Sequence, residues 1–141
     1  MELTLLDAIA KRMNWLEQEL LPELGLSAQC LTGRAEELIE GRREGYDIAV
    51  SRAVARLNML CELCLPFVKV GGFFLAMKGA AASDEAEEAK AAIRLLGGKL
   101  REIAEYPIGD AMHRVVVIEK VRPTPPKYPR RFAKIKQQPL V

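Results

Sequence analysis

The chain has 141 residues, of which 50% are hydrophobic and 28% charged, and its formal net charge is +2. This length and composition predict one folded domain with a hydrophobic core, and they exclude a disordered or collagen-like chain. The longest stretch without a charged residue has ten residues, about half of what a membrane-spanning helix needs, and an acidic N-terminus with three cysteines predicts a cytoplasmic protein.

The first half of the sequence predicts strands that alternate with helices. Residues 3–6 form a short apolar run that predicts a strand, and four apolar residues then recur with helical spacing: Ile9, Met13, Leu16 and Leu20. Pro22 is expected to end or bend this helix, and Gly25 suits the position just past its end. A second strand is predicted at 30–32, a short acidic helix from Ala35 to about Glu40, and a third strand at 47–51.

The second half continues this alternation and then changes. Six apolar residues mark one helical face: Leu57, Leu60, Cys61, Cys64, Leu65 and Val68. Gly71 and Gly72 are predicted to separate this helix from a strand at 73–77, and Ser83 to cap the next helix. Residues 99–108 and 113–121 are strand-like and too close in sequence for a parallel crossover, so they predict an antiparallel hairpin. The pattern predicts an α/β fold whose parallel sheet is closed by one reversed strand.

The last part of the chain, residues 122–141, has a different composition. It contains six basic residues and no acidic one, together with five of the eight prolines of the chain. The prolines predict an extended segment over a surface, neither a helix nor an inner strand. The charge favours a polyanionic partner, and the alternative is a solvated terminus that only aids solubility. We therefore predict a core at 1–121 and a basic, proline-rich tail at 122–141.

Two features could indicate metal or redox chemistry. Cys61 and Cys64 form a C-x-x-C pair, but no second pair follows, and the single histidine, His113, is far along the chain. Buried thiols on one helical face are the favoured interpretation, and no metal site is predicted. His113 starts the last predicted strand and is interpreted as a strand-edge side chain.

Asp7 follows the first predicted strand where the chain enters a helix. Open α/β sheets bind ligands outside the carboxyl ends of their strands, where a carboxylate can accept two hydrogen bonds from ribose hydroxyls. The alternative is that Asp7 caps the helix. The segments 33–36 and 51–53 follow the next two strands at the same edge, so the three strand ends predict one cleft for a nucleotide-like cofactor. The glycine-rich cofactor loop is expected one strand earlier, before residue 1.

Several motifs occur in a fixed order along the chain: Leu5-Leu6-Asp7 with Lys11-Arg12, Gly33-Arg34-Ala35-Glu36-Glu37, Tyr46-Asp47, Ser51-Arg52-Ala53-Val54-Ala55, Leu65-Pro66-Phe67, Gly71-Gly72, Met77-Lys78-Gly79 and the tail Pro123-Thr124-Pro125-Pro126-Lys127-Tyr128-Pro129-Arg130-Arg131. Together they resemble the RsmG (GidB) family, whose members methylate guanine N7 of small-subunit (16S) ribosomal RNA with S-adenosyl-L-methionine. The resemblance covers essentially the whole chain, and the combination of segments makes it specific.

The resemblance implies a class I methyltransferase fold, Rossmann-like, with the cofactor across the strand ends. On the matching positions Asp7 would hold the ribose, Ala35 and Glu36 would contact the adenine side, and Arg52 would lie by the cofactor and the incoming guanine. Six basic residues are expected to contact ribosomal RNA: Arg52, Lys78, Arg122, Lys127, Arg130 and Arg131. Neither a metal nor a membrane is implied, and the complete enzyme is expected to be a monomer.

The chemistry implied by the resemblance needs no general acid or base. Guanine N7 has a free lone pair and no proton to lose, so catalysis is mostly placement of the two reactants. We therefore assign no catalytic residue. Arg52 could bind the O6 and N7 edge of guanine, but it would then occupy the nucleophile, so a phosphate or the cofactor carboxylate is its favoured partner.

The sequence departs from the family at its start. The N-terminal helices, the first strand and the glycine-rich cofactor loop of the family are not matched, so we expect an N-terminally truncated member. The missing strand would lie between the strands at 3–6 and 47–51, which predicts either a central gap or direct pairing of these two. Two other functions stay open: a non-catalytic RNA-binding remnant, and a nicotinamide-dependent Rossmann oxidoreductase, against which the terminal hairpin and the tail argue.

Overall fold

A computed structural model of the chain describes residues 2–7, 9–52 and 55–141. The chain has two compact units, Met1–Leu38 (unit 1) and Ile39–Val141 (unit 2), where the composition predicts a single domain. Among the described residues, no strand pairing joins the sheet of one unit to that of the other. Within the same ranges, no helix combines the length and the apolar character that crossing a membrane requires.

Unit 1 is a strand-helix-strand unit. β1 (Thr4–Asp7) and β2 (Gln29–Thr32) pair in parallel, which confirms the first two predicted strands. The helix that connects them has three consecutive parts: α1 (Ala10–Trp15), a π-helical turn (Leu16–Leu20) and α2 (Leu21–Leu24). The buried residues of this helix are Met13 and Leu21. A short helix, α3 (Ala35–Leu38), follows β2 and ends earlier than the sequence predicts.

The end of the long helix in unit 1 is set by Gly25 and not by Pro22. Pro22 lies in the first turn of α2, directly after the π-helical turn. A proline inside a continuous helix cannot donate a backbone hydrogen bond to the preceding turn, and here that turn is the π-helical one. Gly25 has a φ of +67°, the left-handed conformation typical of the residue that ends a helix. The predicted end at Gly25 is therefore confirmed.

Unit 2 contains the other elements, in chain order: β3 (Tyr46–Arg52), α4 (Leu57–Cys64), a 3₁₀ turn (Leu65–Phe67), β4 (Val68–Lys78), α5 (Ala82–Glu88), α6 (Lys90–Leu95), β5 (Gly98–Ile108), β6 (Ala111–Lys120) and α7 (Phe132–Gln137). The strands form one sheet in the order β3-β4-β6-β5. β3 and β4 are parallel, and β6 is antiparallel to both β4 and β5, so the predicted terminal hairpin is confirmed.

The two faces of this sheet differ in burial. On one face Phe74, Ala76 and Ile118 are fully buried in the core that α4, α5 and α6 cover. On the other face Ile48 and Val50 of the edge strand β3 are 55% and 56% exposed. β1 and β3 belong to different sheets, so the described residues do not show the direct pairing that the sequence left open.

The Gly71–Gly72 pair lies inside β4 and does not separate it from a helix, which corrects the prediction. Tyr46 is in register with Val68 and Ile48 with Phe73, so a step of two residues along β3 corresponds to a step of five along β4. This bulge brings the backbones together: a Cβ at Gly72 would lie 2.3 Å from the carbonyl oxygen of Asp47. Glycine is needed here for close approach.

The helix after β4 begins one residue before Ser83, so the prediction that Ser83 is its N-cap is wrong. Ala81 occupies the N-cap position of α5 and makes no side-chain cap hydrogen bond. The single predicted helix also divides at Ala89 into α5 and α6. The second of these helices ends shortly before Gly97, whose φ is +91°.

The tail at 122–141 is not extended throughout, which corrects the prediction made from its prolines. Its helix, α7, occupies a stretch that prolines flank but do not enter. Thr124, Tyr128 and Ile135 are buried, and the Thr124 hydroxyl donates to the carbonyl oxygen of Leu96 at 2.6 Å. The tail is therefore packed on unit 2.

Candidate functional site

The carboxyl ends of β1 and β2 form one edge of unit 1. Asp7 and Thr32 are opposite each other in the parallel register, and the Gly33 N–H donates to the Asp7 carbonyl oxygen at 2.9 Å. The structure therefore places the predicted ribose carboxylate beside the turn that leads to the predicted adenine-side residues. Ala35 and Glu36 are the first two residues of α3 and are half-buried.

The Asp7 carboxylate bonds the chain just before α1 but does not cap this helix, so the alternative prediction is wrong: the N-cap is Ile9, and it makes no side-chain cap hydrogen bond. The Oδ1 of Asp7 accepts the Ile9 N–H at 2.9 Å, and its Oδ2 pairs with the Arg12 guanidinium at 3.2 Å. The side chain is 22% exposed, and each carboxylate oxygen has two lone pairs, so both oxygens can still accept a ribose hydroxyl. These two bonds fix the orientation of the carboxylate and leave it able to bind a ligand.

Arg52 lies at the carboxyl end of β3 in unit 2 and is exposed. It is in register with Met77 of β4. Ala53 and Val54 of the same predicted segment lie outside the described residues. Asp7 and Arg52 belong to different units, and their convergence on one cleft stays a prediction.

Lys78 has a packing role in the structure. It is 8% exposed, and its Nζ donates to the Ala55 carbonyl oxygen at 2.6 Å and pairs with the Glu85 carboxylate at 2.8 Å. Glu85 also accepts the Leu57 N–H at 2.9 Å. These bonds tie the end of β4 to the chain that enters α4, and they argue against a direct contact of Lys78 with RNA.

Arg130 is likewise engaged within the fold. Its guanidinium pairs with the fully buried Glu62 carboxylate at 2.7 Å, and its backbone N–H donates to the same carboxylate at 2.8 Å. Hydrogen bonding to Glu62 raises the pKa of Arg130 above its ordinary value. Sequence reasoning assigned Arg130 to RNA because a buried partner on α4 gives no signal in the tail itself.

The other predicted cations of the tail are exposed. Lys127 lies over the Tyr128 ring, with its Nζ 5.3 Å from the ring centroid, and Arg131 precedes α7. Arg122 donates to the Arg94 carbonyl oxygen at 2.7 Å and lines a groove together with Lys90 and Arg94 of α6 and with Glu87 and Glu88 of α5. The sequence analysis missed Lys90 and Arg94, because single cations on a helix give no pattern until the tail is placed beside them.

The cysteines of the C-x-x-C pair are free thiols. Burial raises the pKa of Cys61 well above its ordinary value and that of Cys64 to about 12. Thiols with such pKa values are neither nucleophiles nor ready metal ligands. In the part of the chain that the structure describes, no group of three or more His, Cys, Asp or Glu residues could hold a metal ion.

Comparison with known proteins identifies a sequence family. Residues 1–111 match the family model described as GidB, rRNA small subunit methyltransferase G. The chain is 46% identical over 144 aligned residues to the ribosomal RNA small subunit methyltransferase G of Clostridium tetani and, to the same extent, to that of Alkaliphilus oremlandii. Each alignment covers 99% of this chain and 60% of the relative. The chain therefore spans about 60% of the length of these curated relatives.

Solved structures show the same fold at low sequence identity. A rRNA methylase from Streptococcus thermophilus superimposes with a TM-score of 0.59 at 19% identity, over 86% of this chain and 74% of that one. TrmN from Thermus thermophilus gives a TM-score of 0.62 at 21% identity, over 85% of this chain and 36% of that one. The fold is that of class I methyltransferases, as the sequence analysis predicts.

Proposed function

The chain belongs to the rRNA small subunit methyltransferase G family, and from this premise we propose that it carries out, as part of such an enzyme, methyl transfer to guanine N7 of small-subunit (16S) ribosomal RNA. The observation that carries the proposal is 46% identity over 99% of the chain to proteins of that name. The substrate implies action in the cytoplasm, and we propose that the complete enzyme is a monomer.

The edge of unit 1 supports S-adenosyl-L-methionine as the cofactor. The Asp7 carboxylate is oriented by two hydrogen bonds and retains lone pairs for the ribose hydroxyls. Ala35 and Glu36 follow the next strand end and would flank the adenine. When bound, this cofactor supplies an electrophilic methyl group.

The proposed reaction asks the chain to place reactants and not to move protons. Guanine N7 offers a lone pair and carries no proton, so no side chain has to act as a base, and holding both reactants in line supplies most of the rate enhancement. Arg52, exposed at the carboxyl end of β3, would bind a phosphate or the cofactor carboxylate.

Cations on two surfaces of unit 2 would bind the RNA backbone. Lys127 and Arg131 are exposed in the tail. Arg122 lies in the groove with Lys90 and Arg94, where Glu87 and Glu88 offset part of the positive charge. Such contacts supply affinity without sequence selectivity. Lys78 and Arg130 are left out of this set because both pair with carboxylates of the fold. We thus retain the tail at 122–141 as a functional segment on the core at 1–121.

A methylation assay tests the proposed activity. The protein is incubated with small-subunit ribosomal RNA and S-adenosyl-L-methionine, and the digested RNA is examined by mass spectrometry for N7-methylguanine. Because these relatives are longer, the assay also uses a fusion in which any part of the Clostridium tetani relative that precedes its match to this chain is placed ahead of residue 1. Arg52→Ala in the active form should lower kcat/KM by about tenfold or more through lost placement. A methyl group on another atom or base would refute the assignment.

Cofactor binding is tested separately by calorimetry. We expect the 141-residue chain to bind S-adenosyl-L-methionine weakly and the fusion to bind it more tightly, with Asp7→Ala lowering the affinity of the fusion. Arg12→Gln serves as the control, since it removes the partner of Asp7 and keeps the carboxylate. Equal binding by the Asp7→Ala and unchanged fusions would remove Asp7 from the site.

A further inference from the structure

The β5–β6 hairpin extends beyond the rest of the sheet at the end where Arg52 lies. The pairing of β4 with β6 stops at Lys78 and Arg114. The pairing of β5 with β6 continues to Ile108 and Ala111, so the hairpin projects past its neighbour strand. Its two-residue turn begins at Gly109, whose φ is +59°, as a tight hairpin turn requires.

Two aromatic rings are stacked on this projecting part. Tyr106 and His113 are opposite each other in the antiparallel register, with ring centroids 5.8 Å apart and an interplanar angle of 22°. Both side chains are half-buried, so part of each ring is accessible. Methyl transfer to N7 requires no base, so the proposed reaction gives neither ring a role.

The ring pair is on the same face of the sheet as Arg52. Arg52 is in register with Met77 and Met77 with Val115, and His113 is two residues from Val115 on β6. Residues in register, and residues two apart on a strand, point to the same face. Two strand spacings across and two residues along place His113 and Arg52 roughly 12 Å apart between Cα atoms. A few nucleotides of extended single strand span such a distance.

We propose that Tyr106 and His113 form a stacking platform for an unpaired base of the RNA strand whose guanine reaches the Arg52 edge. The inference rests on the proposed function, because it assumes an RNA substrate. A base that is to be methylated must leave its stack, and aromatic side chains take over the stacking of neighbouring bases in single-stranded RNA.

The surroundings of the platform suit a base better than a charged partner. Ile108, two residues from Tyr106 on β5 and therefore on the same face, is 57% exposed and offers apolar contact. The carboxylate of Glu105, the acidic residue next to Tyr106, pairs with Arg114 at 3.2 Å, which reduces its repulsion of phosphates.

The test measures binding of a fluorescently labelled single-stranded oligoadenylate by fluorescence anisotropy at several salt concentrations. Tyr106→Leu should weaken binding roughly 5- to 150-fold without changing the salt dependence, because stacking is lost and no phosphate contact is. Tyr106→Phe and His113→Phe keep a ring and should bind like the unchanged protein. Tyr46→Leu is the matched control, since Tyr46, at the opposite end of the sheet, also forms a ring pair, with Phe67 of the 3₁₀ turn at 6.1 Å.

The outcomes separate the platform from the proposed function. Thermal unfolding of each variant shows whether it is folded, and His113→Leu provides a second ring deletion should Tyr106→Leu unfold. Binding unchanged in both ring deletions, or weakened equally in Tyr46→Leu, overturns the platform while leaving the proposed function intact. Failure of the unchanged protein and of the fusion to bind any RNA overturns the proposed function and the platform with it.

Discussion

Unit 1 and unit 2 both contain parallel strands joined by a helix, but they bury very different amounts of apolar surface. In the described part of unit 1, the buried apolar side chains are Met13 and Leu21, and the sheet has two strands. Unit 2 has a four-stranded sheet with a continuous core beneath α4, α5 and α6. Since burial of apolar surface is the main source of stability, unit 1 gains much less from its core than unit 2 does.

This difference separates the predicted residues of the adenosine side from the predicted RNA residues. Asp7, Ala35 and Glu36 belong to the unit with the small core, and the cations of the tail belong to the unit with the large one. Local stability within a protein follows the density of buried apolar contacts. We therefore expect the adenosine side of the site to open more readily than the RNA side.

The largest effect on stability is expected from the ion pair between Arg130 of the tail and Glu62 of α4. Arg130→Ala leaves the Glu62 carboxylate, which is fully buried, without its guanidinium partner. Removing one member of a buried ion pair costs about 3–5 kcal/mol of unfolding free energy. Arg131→Ala, at the exposed neighbouring position, should change the unfolding free energy by less than about 0.5 kcal/mol. Urea denaturation of both variants checks this, and equal effects would contradict it.

The next comparison places the same substitution in each unit. Leu65 and Leu21 are both buried, Leu65 in the core of unit 2 and Leu21 in unit 1. Leu65→Ala should lower the free energy of the main unfolding transition by about 2–5 kcal/mol. Leu21→Ala should change that transition by less than about 1 kcal/mol and instead raise amide hydrogen exchange in residues 4–32. Similar shifts of the main transition would show that the two units unfold together.

A pH-dependent effect is expected from Lys120 in the core of unit 2. Burial lowers the pKa of this amine from 10.5 to about 8, against the opposing effect of Glu44 at 3.7 Å, while its Nζ donates to the Leu65 and Val68 carbonyl oxygens. Between these two pKa values the unfolded chain binds more protons, so the contribution of Lys120 to stability rises with pH by up to about 3 kcal/mol.

The measurement for Lys120 is the difference in unfolding free energy between the unchanged protein and Lys120→Met from pH 7 to pH 10.5. The difference should be constant below about pH 8 and then change in favour of the unchanged protein. Taking the difference removes the contributions of other groups that titrate in this range. A constant difference over the whole range would contradict the lowered pKa.

The smallest effect is expected from the exposed cations of the tail. Lys127→Gln and Arg131→Gln should each reduce the slope of log affinity for single-stranded RNA against log salt by about 0.7. Lys69→Gln is the control, because it removes the same charge from a residue that pairs with Asp47 on the sheet. Stability should stay unchanged in all three. An unchanged slope in the tail variants would make the tail a packing segment only.

Local sequence patterns predicted those parts of the fold that are determined by residues close to each other in the sequence. The apolar run before Asp7, the end of the first long helix at Gly25 and the terminal hairpin depend on residues close in sequence. The family resemblance, carried by ordered motifs, predicted the class I fold that the comparisons show.

The features that the sequence did not predict depend on contacts between distant residues. From the sequence, Gly72 was predicted to separate a helix from a strand. The structure shows another reason for the glycine: a Cβ at this position would lie 2.3 Å from the carbonyl oxygen of Asp47. The many prolines of the tail led to the prediction of an extended segment, but α7 lies in a stretch between two of them. Lys78 and Arg130 carry the charge that RNA contacts need, yet their partners Glu85 and Glu62 lie elsewhere in the chain.

The position of β3 at the edge of the sheet of unit 2 bears on how the protein behaves in concentrated solution. An edge strand offers a row of backbone donors and acceptors to any other extended chain, and Ile48 and Val50 make this edge apolar as well. We expect strand addition between molecules, and hence aggregation, to increase with protein concentration. Val50→Lys should reduce this aggregation, because a charged side chain on an edge strand disfavours strand addition.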